Sequence, residues 1–268
     1  MAHEISDPRF EHDGIRCMTV KSRALTMRAD LTLYVPPAIE TGADVPVAIL
    51  LHGVYGSHWA WTLQGGAHRT AARLIAAGEI PPMVLAMPSD GLWGDGSGYI
   101  QQPKQDFEKW IVDEVPTAVG FAVPQITPRS PWFIAGLSMG GFGALRIGAK
   151  YAGQFRAASG HSSITHLEQI TRFVDEPLAS YRARPEDHSV FDAIRRATVP
   201  QRPPLQLRFD CGLDDPLLPA NRKLHTQLEA QGIPHIYEEF SGGHEWPYWE
   251  EHLADTLRYF ARIAAQPR

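Results

Sequence analysis

The sequence predicts an α/β fold in which a mostly parallel central sheet carries helices on both faces. Three observations predict it. Strand-like apolar runs alternate with helical patterns along most of the 268 residues, the order that crossover helices impose on a parallel sheet. Two of those runs, 45–53 and 82–88, are nearly continuous in apolar residues, as strands buried on both faces require. No repeat or low-complexity linker divides the chain, so one domain over residues 1–268 is expected.

Each element has its own signal. Residues 15–20 and 25–35 alternate well enough to read as an antiparallel strand pair. "VPVAILLHG" (45–53) ends in glycine and reads as a buried strand. "GGAHRTAARLIAAG" (65–78) has helical spacing at Ala71, Leu74 and Ile75, and Gly78 supplies a stop. "PMVLAMP" (82–88) is the second buried strand. "DFEKWIVDEVPTAVGFAV" (106–123) reads as a helix with early acidic residues, disturbed by Pro116. "WFIAGL" and "MGGFGALRIGAKY" form strand, turn and helix, and "FRAASGHS" (155–162) is a short strand candidate. "PLQLRFDCG" (204–212) alternates, a helix follows over 220–232, then the strand "HIYEEF" (235–240) and a helix from about 248 to 265. Residues 163–203, rich in charge and proline, break this rhythm. They are expected to be a cap-like insertion over one end of the sheet.

Bulk properties narrow the function. Apolar residues make up 44% and charged residues 21%, which suits a globular chain with a sizeable core. A formal charge of −5 gives no electrostatic reason to expect nucleic acid or anionic lipid as a partner. No run approaches the roughly 20 apolar residues of a membrane span, and "MAHEISDPRFEHDG" has no apolar signal core. No membrane association is expected, and a cytoplasmic enzyme is. The two cysteines, Cys17 and Cys211, read as two buried thiols of a reducing compartment rather than a disulfide framework.

The chemistry-bearing stretch is "WFIAGLSMGGFGALRIG" (132–148), where Ser138 stands between Gly136 and Gly140. A serine on a sharp strand-to-helix turn is held clear of the backbone above the carboxyl end of a sheet. Strand and helix pack that closely only when the flanking residues lack side-chain bulk. Gly141 and Gly143 would let the helix approach further. The G-x-S-x-G pattern alone is a weak signal, and a serine N-cap also fits a strand-helix junction. A serine hydroxyl becomes a nucleophile only when a base takes its proton. In the strand-turn-helix context that base follows the last strand, and His244 in "SGGHEWPYW" is the histidine there. His52 and His161 lie near strand ends and could line the pocket. The imidazole needs a carboxylate to fix its tautomer. "DCGLDDP" offers Asp210, Asp214 and Asp215; Asp210 is still in the strand, Asp214 could cap a turn, and Asp215, furthest out, is the candidate acid. Oxyanion donors are expected from the backbone N–H of Met139 and, after the 45–53 strand, of Val54.

Together, "LLHGVYGSHWAW", "MPSDGLWGDGSGY", "GLSMGGFGAL", "CGLDDPLL" and "GGHEWPYW" resemble the esterase D/S-formylglutathione hydrolase group of α/β-hydrolases, which includes tributyrin and feruloyl esterases. The resemblance runs from about residue 47 to 249. It implies the α/β-hydrolase fold, an acid at Asp215 in the C-G-x-x-D stretch, ester hydrolysis through an acyl-serine, no metal or organic cofactor, and a homo-oligomer, usually a dimer or larger. The expected function is thus a serine carboxylesterase acting on small soluble esters. Alternatives are acyl transfer through the same three residues, or a catalytically silent binding protein. Trp59, Trp61, Trp93, Trp246 and Trp249 occur in loops expected to rim the site. They would either wall a substrate or pack the loops; Trp59, Trp61, Trp93 and Trp246, with His52, are the candidate substrate-binding residues.

Overall fold

The computed structural model describes residues 1–37, 39, 44–198 and 205–267. Its strands are β1 (His3–Ile5), β2 (Ile15–Lys21), β3 (Arg28–Tyr34), β4 (Val47–Leu51), β5 (Val84–Pro88), β6 (Trp132–Leu137), β7 (Phe155–His161), β8 (Gln206–Gly212) and β9 (Ile236–Phe240). They form one sheet in the order β1-β2-β3-β5-β4-β6-β7-β8-β9. The β1–β2, β2–β3 and β3–β5 pairs are antiparallel, and every pair from β5 to β9 is parallel. This is the mostly parallel sheet that the sequence predicts, in the α/β-hydrolase architecture that the resemblance implies. The chain passes from β4 outward to β5 and returns across β4 to β6, so the loops after β4 and β6 emerge side by side. Open α/β sheets bind ligands at such a reversal.

The helices are α1 (Ala60–Leu63), α2 (Ala67–Ala76), α3 (Phe107–Lys109), α4 (Val115–Ala122), α5 (Met139–Lys150), α6 (Val190–Ala197), α7 (Leu218–Ala230) and α8 (Trp246–Ala264). Alternation along β4 divides the core. Val47, Ile49 and Leu51 pack with residues of α4, α5 and α7, whereas Ala48 and Leu50 pack with residues of α2 and α8. β4 has no solvent-facing side, which is why its sequence does not alternate.

Several boundaries depart from the sequence reading for physical reasons. The helix expected over 106–123 is three pieces. Asp106 caps α3 through its side chain, and a π-helical stretch, Trp110–Glu114, precedes α4. Pro116 has no N–H to give the Val112 carbonyl four residues back; the Gln154 side-chain amide donates to that carbonyl instead, at 2.8 Å. β1, three residues long, is too short to show a periodicity. Residues 163–198 hold 3₁₀ turns at Leu167–Arg172, Leu178–Ser180 and Pro185–Asp187 before α6; the last part of the expected insertion, 199–203, lies outside the described residues, as does Pro204. Asp187 ties this segment to α5, accepting from the fully buried Arg146 at 3.0 Å and from Lys150 at 2.6 Å. The expectation of two buried thiols needs correction. Cys211 is buried but Cys17 is exposed, and both are free. Met18 and Val20 turn one face of β2 into the core, so the period of two turns Cys17 outward.

Candidate active site

Ser138 joins β6 to α5 with φ 53° and ψ −118°, a left-handed backbone that side-chain-bearing residues rarely adopt. Neighbouring backbone holds it there. Its N–H donates to the His161 carbonyl at 2.9 Å, and its own carbonyl accepts from Phe142 at 3.1 Å and Ile164 at 3.3 Å. A Cβ on Gly136 would strike the Gly140 carbonyl, and one on Gly140 would strike the carbonyls of Leu51 and His52. The glycines are therefore required by contact between β6, α5 and the end of β4. Ser138 stands at the N-cap position, but its side chain makes no capping bond.

The hydroxyl points elsewhere: Ser138 Oγ is 3.0 Å from His244 Nε2. His244 Nδ1 is 2.9 Å from Asp215 Oδ2, and Asp215 Oδ1 accepts from the Leu217 amide at 2.7 Å. The Asp215 side chain is fully buried, while His244 keeps 17% of its side chain exposed. Of the other candidate acids, Asp214 is exposed. Asp210 is buried in a separate network, bonded to His161, Arg208 and the Tyr248 hydroxyl. Burial pushes the Asp210 carboxyl up, but the His161 ring and the Arg208 guanidinium outweigh it and hold it at about 2. His161 is fully buried in that network and does not line the cleft.

Met139 follows the serine directly, and Val54 lines the same cleft. Met139 opens α5, so its N–H has no acceptor within the helix; the Val54 N–H has no hydrogen-bond partner among the described residues. The loop carrying Val54 is fixed from beneath. His52 Nε2 accepts from the Asp90 amide at 3.1 Å, which leaves Nδ1 to donate to the Gly53 carbonyl at 2.7 Å. The Tyr99 hydroxyl donates to the His52 carbonyl at 3.1 Å. His52 is thus buried, with both ring nitrogens engaged.

A cleft of about 330 Å³ opens over Ser138, walled by His52, Val54, Tyr55, Trp59, Leu137, Phe173, His244, Trp246 and Trp249 among others. The tryptophans divide. Trp59 and Trp246 line the cleft, as does Trp249, which stands edge-on to His244. Trp61 is buried, donates its indole N–H to the Leu51 carbonyl at 3.0 Å and packs edge-on against Trp246. Trp93 packs against Tyr181 and Phe107. Neither Trp61 nor Trp93 reaches the cleft.

Among the cleft residues that escape the sequence reading are Tyr55, Gln64, Leu137 and Phe173. Tyr55 neighbours Val54 in "GVYGS" and was open to inference by adjacency. Phe173 comes from the charge-rich 163–203 segment, and no motif or period marks it. Among the described residues no three His, Cys, Asp or Glu side chains cluster so as to hold a metal ion, and no helix is long and apolar enough to cross a membrane.

Comparisons with known proteins agree on the family. An acetyl esterase of Caldicellulosiruptor saccharolyticus is 26% identical over 238 residues, covering 80% of this chain and 83% of that one. An esterase of Mycobacterium tuberculosis is 25% identical over 76% of this chain; the chain spans 49% of its length. Among solved structures, the S-formylglutathione hydrolase from Agrobacterium tumefaciens superposes with a TM-score of 0.75 over 95% of this chain and 98% of that one, at 18% identity, a likeness of fold. The two esterases support ester hydrolysis and lend no support to acyl transfer or silent binding. Residues 22–260 match the family described as Putative esterase, and the chain belongs to that family of carboxylic ester hydrolases.

Proposed function

We propose that the chain hydrolyses small carboxylic esters at Ser138, with His244 as general base and acid and Asp215 as the carboxylate that orients it. The Asp215 contact sets the tautomer: His244 Nδ1–H donates to Asp215, leaving the Nε2 lone pair for the serine proton. As Oγ attacks the ester carbonyl carbon, Nε2 takes that proton. The carbonyl oxygen becomes an oxyanion, which accepts from the N–H groups of Val54 and Met139. Collapse of the tetrahedral intermediate breaks the bond to the alcohol, and His244 returns the proton to the leaving oxygen. Water then enters the same position, His244 deprotonates it, and a second tetrahedral intermediate releases the acid and regenerates Ser138.

The observation that carries this reading is the His244 ring bridging the serine hydroxyl at 3.0 Å and the buried carboxylate at 2.9 Å. On this reading residues 1–268 act as one α/β-hydrolase unit with 163–203 as its cap, and Trp59, Trp246 and Trp249 contact the acyl or alcohol group. A cytoplasmic homo-oligomer is part of the same reading; cell fractionation and light scattering test it. The central test is turnover of p-nitrophenyl acetate together with labelling by a fluorophosphonate. Wild type is expected to turn over and to be labelled at Ser138. Ser138→Ala is expected to lose both while keeping its circular dichroism spectrum and melting temperature; retained turnover would overturn the assignment.

A further inference from the structure

Among the described residues, no lysine, arginine, aspartate or glutamate lines the cleft that holds Ser138. Apart from Ser138, the two histidines, Tyr55 and the uncharged amide of Gln64, its side chains are hydrophobic, Trp59, Trp246, Trp249, Phe173 and Leu137 among them. Beyond the walls, carboxylates gather on two sides. On one side Asp95, Asp175 and Glu176 meet beside Tyr55. The Tyr55 hydroxyl donates to Asp95 Oδ2 at 3.2 Å, and the Asp175 amide donates to that same oxygen at 2.9 Å. The Asp95 amide donates to Glu176 Oε1 at 3.0 Å. Amides and a hydroxyl hold this group together, and no cation neutralises it in these contacts. The Tyr55 hydroxyl is pushed up by desolvation first and then by its bond to Asp95 and the charges of Asp95, Asp175 and Glu176. On the other side Asp214 and Glu245, both exposed, flank the His244 loop through backbone bonds to Gly242 and Gly243. Arg172, next to Phe173 in sequence, lines a different groove together with Lys223.

An anion entering this cleft would lose water without gaining a cationic partner, and it would approach past like charges whose repulsion only salt screens. We propose that the site selects esters whose acyl and alcohol parts are both uncharged, and discriminates against carboxylate-bearing esters and thioesters, those of glutathione included. This rests on the esterase reading above and deepens it to a substrate class. Leaving one carboxylate unpaired in the cleft is expected to lower kcat/KM by about 10- to 100-fold.

The test compares two esters of one shape, 4-acetoxybenzamide and 4-acetoxybenzoate, each rate normalised to the ester's own hydroxide-catalysed hydrolysis. The amide is expected to be favoured by about 10- to 100-fold. Raising salt from about 0.01 to about 0.5 M is expected to raise kcat/KM for the benzoate and leave that for the benzamide flat. Asp175→Asn, which removes one exposed charge and keeps the backbone amide, is expected to raise the benzoate rate relative to the benzamide about twofold. Equal normalised rates, or a benzoate rate that falls with salt, would overturn the inference while leaving the esterase reading standing. Ser138 labelled by a fluorophosphonate with neither ester hydrolysed would overturn the substrate class alone. No hydrolysis and no labelling would remove the esterase reading, and this inference with it.

Discussion

The Phe173 ring lies nearly parallel to the His244 imidazole, with centroids 5.2 Å apart and planes 19° apart. Trp249 stands edge-on to the same imidazole at 5.0 Å. The ring that bridges Ser138 and Asp215 is therefore confined by two aromatic neighbours as well as by its hydrogen bonds. Aromatic pairs of this kind contribute about 0.5–1.5 kcal/mol beyond their buried area. Phe173→Ala is expected to lower kcat about two- to tenfold with a smaller change in KM, and Phe173→Tyr to restore it. Steady-state kinetics on p-nitrophenyl acetate decide; an unchanged kcat would make the stacking simple packing.

Asp214 and Asp215 are adjacent in sequence, but only Asp215 turns inward to His244. Asp215→Asn is expected to reduce kcat by on the order of 10⁴, the effect of spoiling the histidine tautomer in a serine–histidine–acid site. Asp214→Asn should stay close to wild type. The reverse pattern would reassign the acid.

Gly140 and Gly120 make a contrasting pair for stability. A methyl group on Gly140 would press on the Leu51 and His52 carbonyls, whereas at Gly120, in α4, nothing lies within 4 Å. Gly140→Ala is expected to destabilise by more than about 1–3 kcal/mol because backbone cannot yield as a side chain does. Gly120→Ala should stabilise by about 0.4–1 kcal/mol, since alanine loses less chain entropy in a helix. Urea unfolding of the two variants reads both signs.

Asp210 sets an acid dependence. Its folded carboxyl sits at about 2, below the roughly 3.9 of an unfolded chain. A depressed carboxyl stabilises fully above the unfolded value and loses that contribution as pH falls through the folded one. Between about pH 4 and 2 wild type should lose about 2 kcal/mol through this group. Asp210→Asn is expected to be less stable at pH 7, because His161 and Arg208 lose their anion, and to lack this part of the slope. Unfolding midpoints across that pH range test it; parallel slopes would assign the acid sensitivity to other carboxylates.

The site and the fold were legible in the sequence to different depths. Ser138, His244 and a choice among three aspartates could be named because each follows a strand, and strand and turn signals are local. The glycines about Ser138 were legible for a related reason: close approach of two backbones leaves few residue choices. The tryptophans were not separable. Trp61 and Trp59 lie two residues apart, yet one reaches the Leu51 carbonyl in the core and the other faces the cleft. The helix around Pro116 was visible as disturbed, but not that Gln154, from beyond α5, would supply the missing donor.

By itself the sequence determined the order of strands and helices, the turn that exposes one serine, and the loops from which a base and an acid had to come, because local periodicity and steric limits act within a few residues. The tertiary structure decided which aspartate turns toward His244, which aromatic side chains wall the cleft, and that Phe173, from the charge-rich segment after β7, covers the imidazole. Those outcomes depend on how distant segments pack against one another, and no short stretch of chain carries that information.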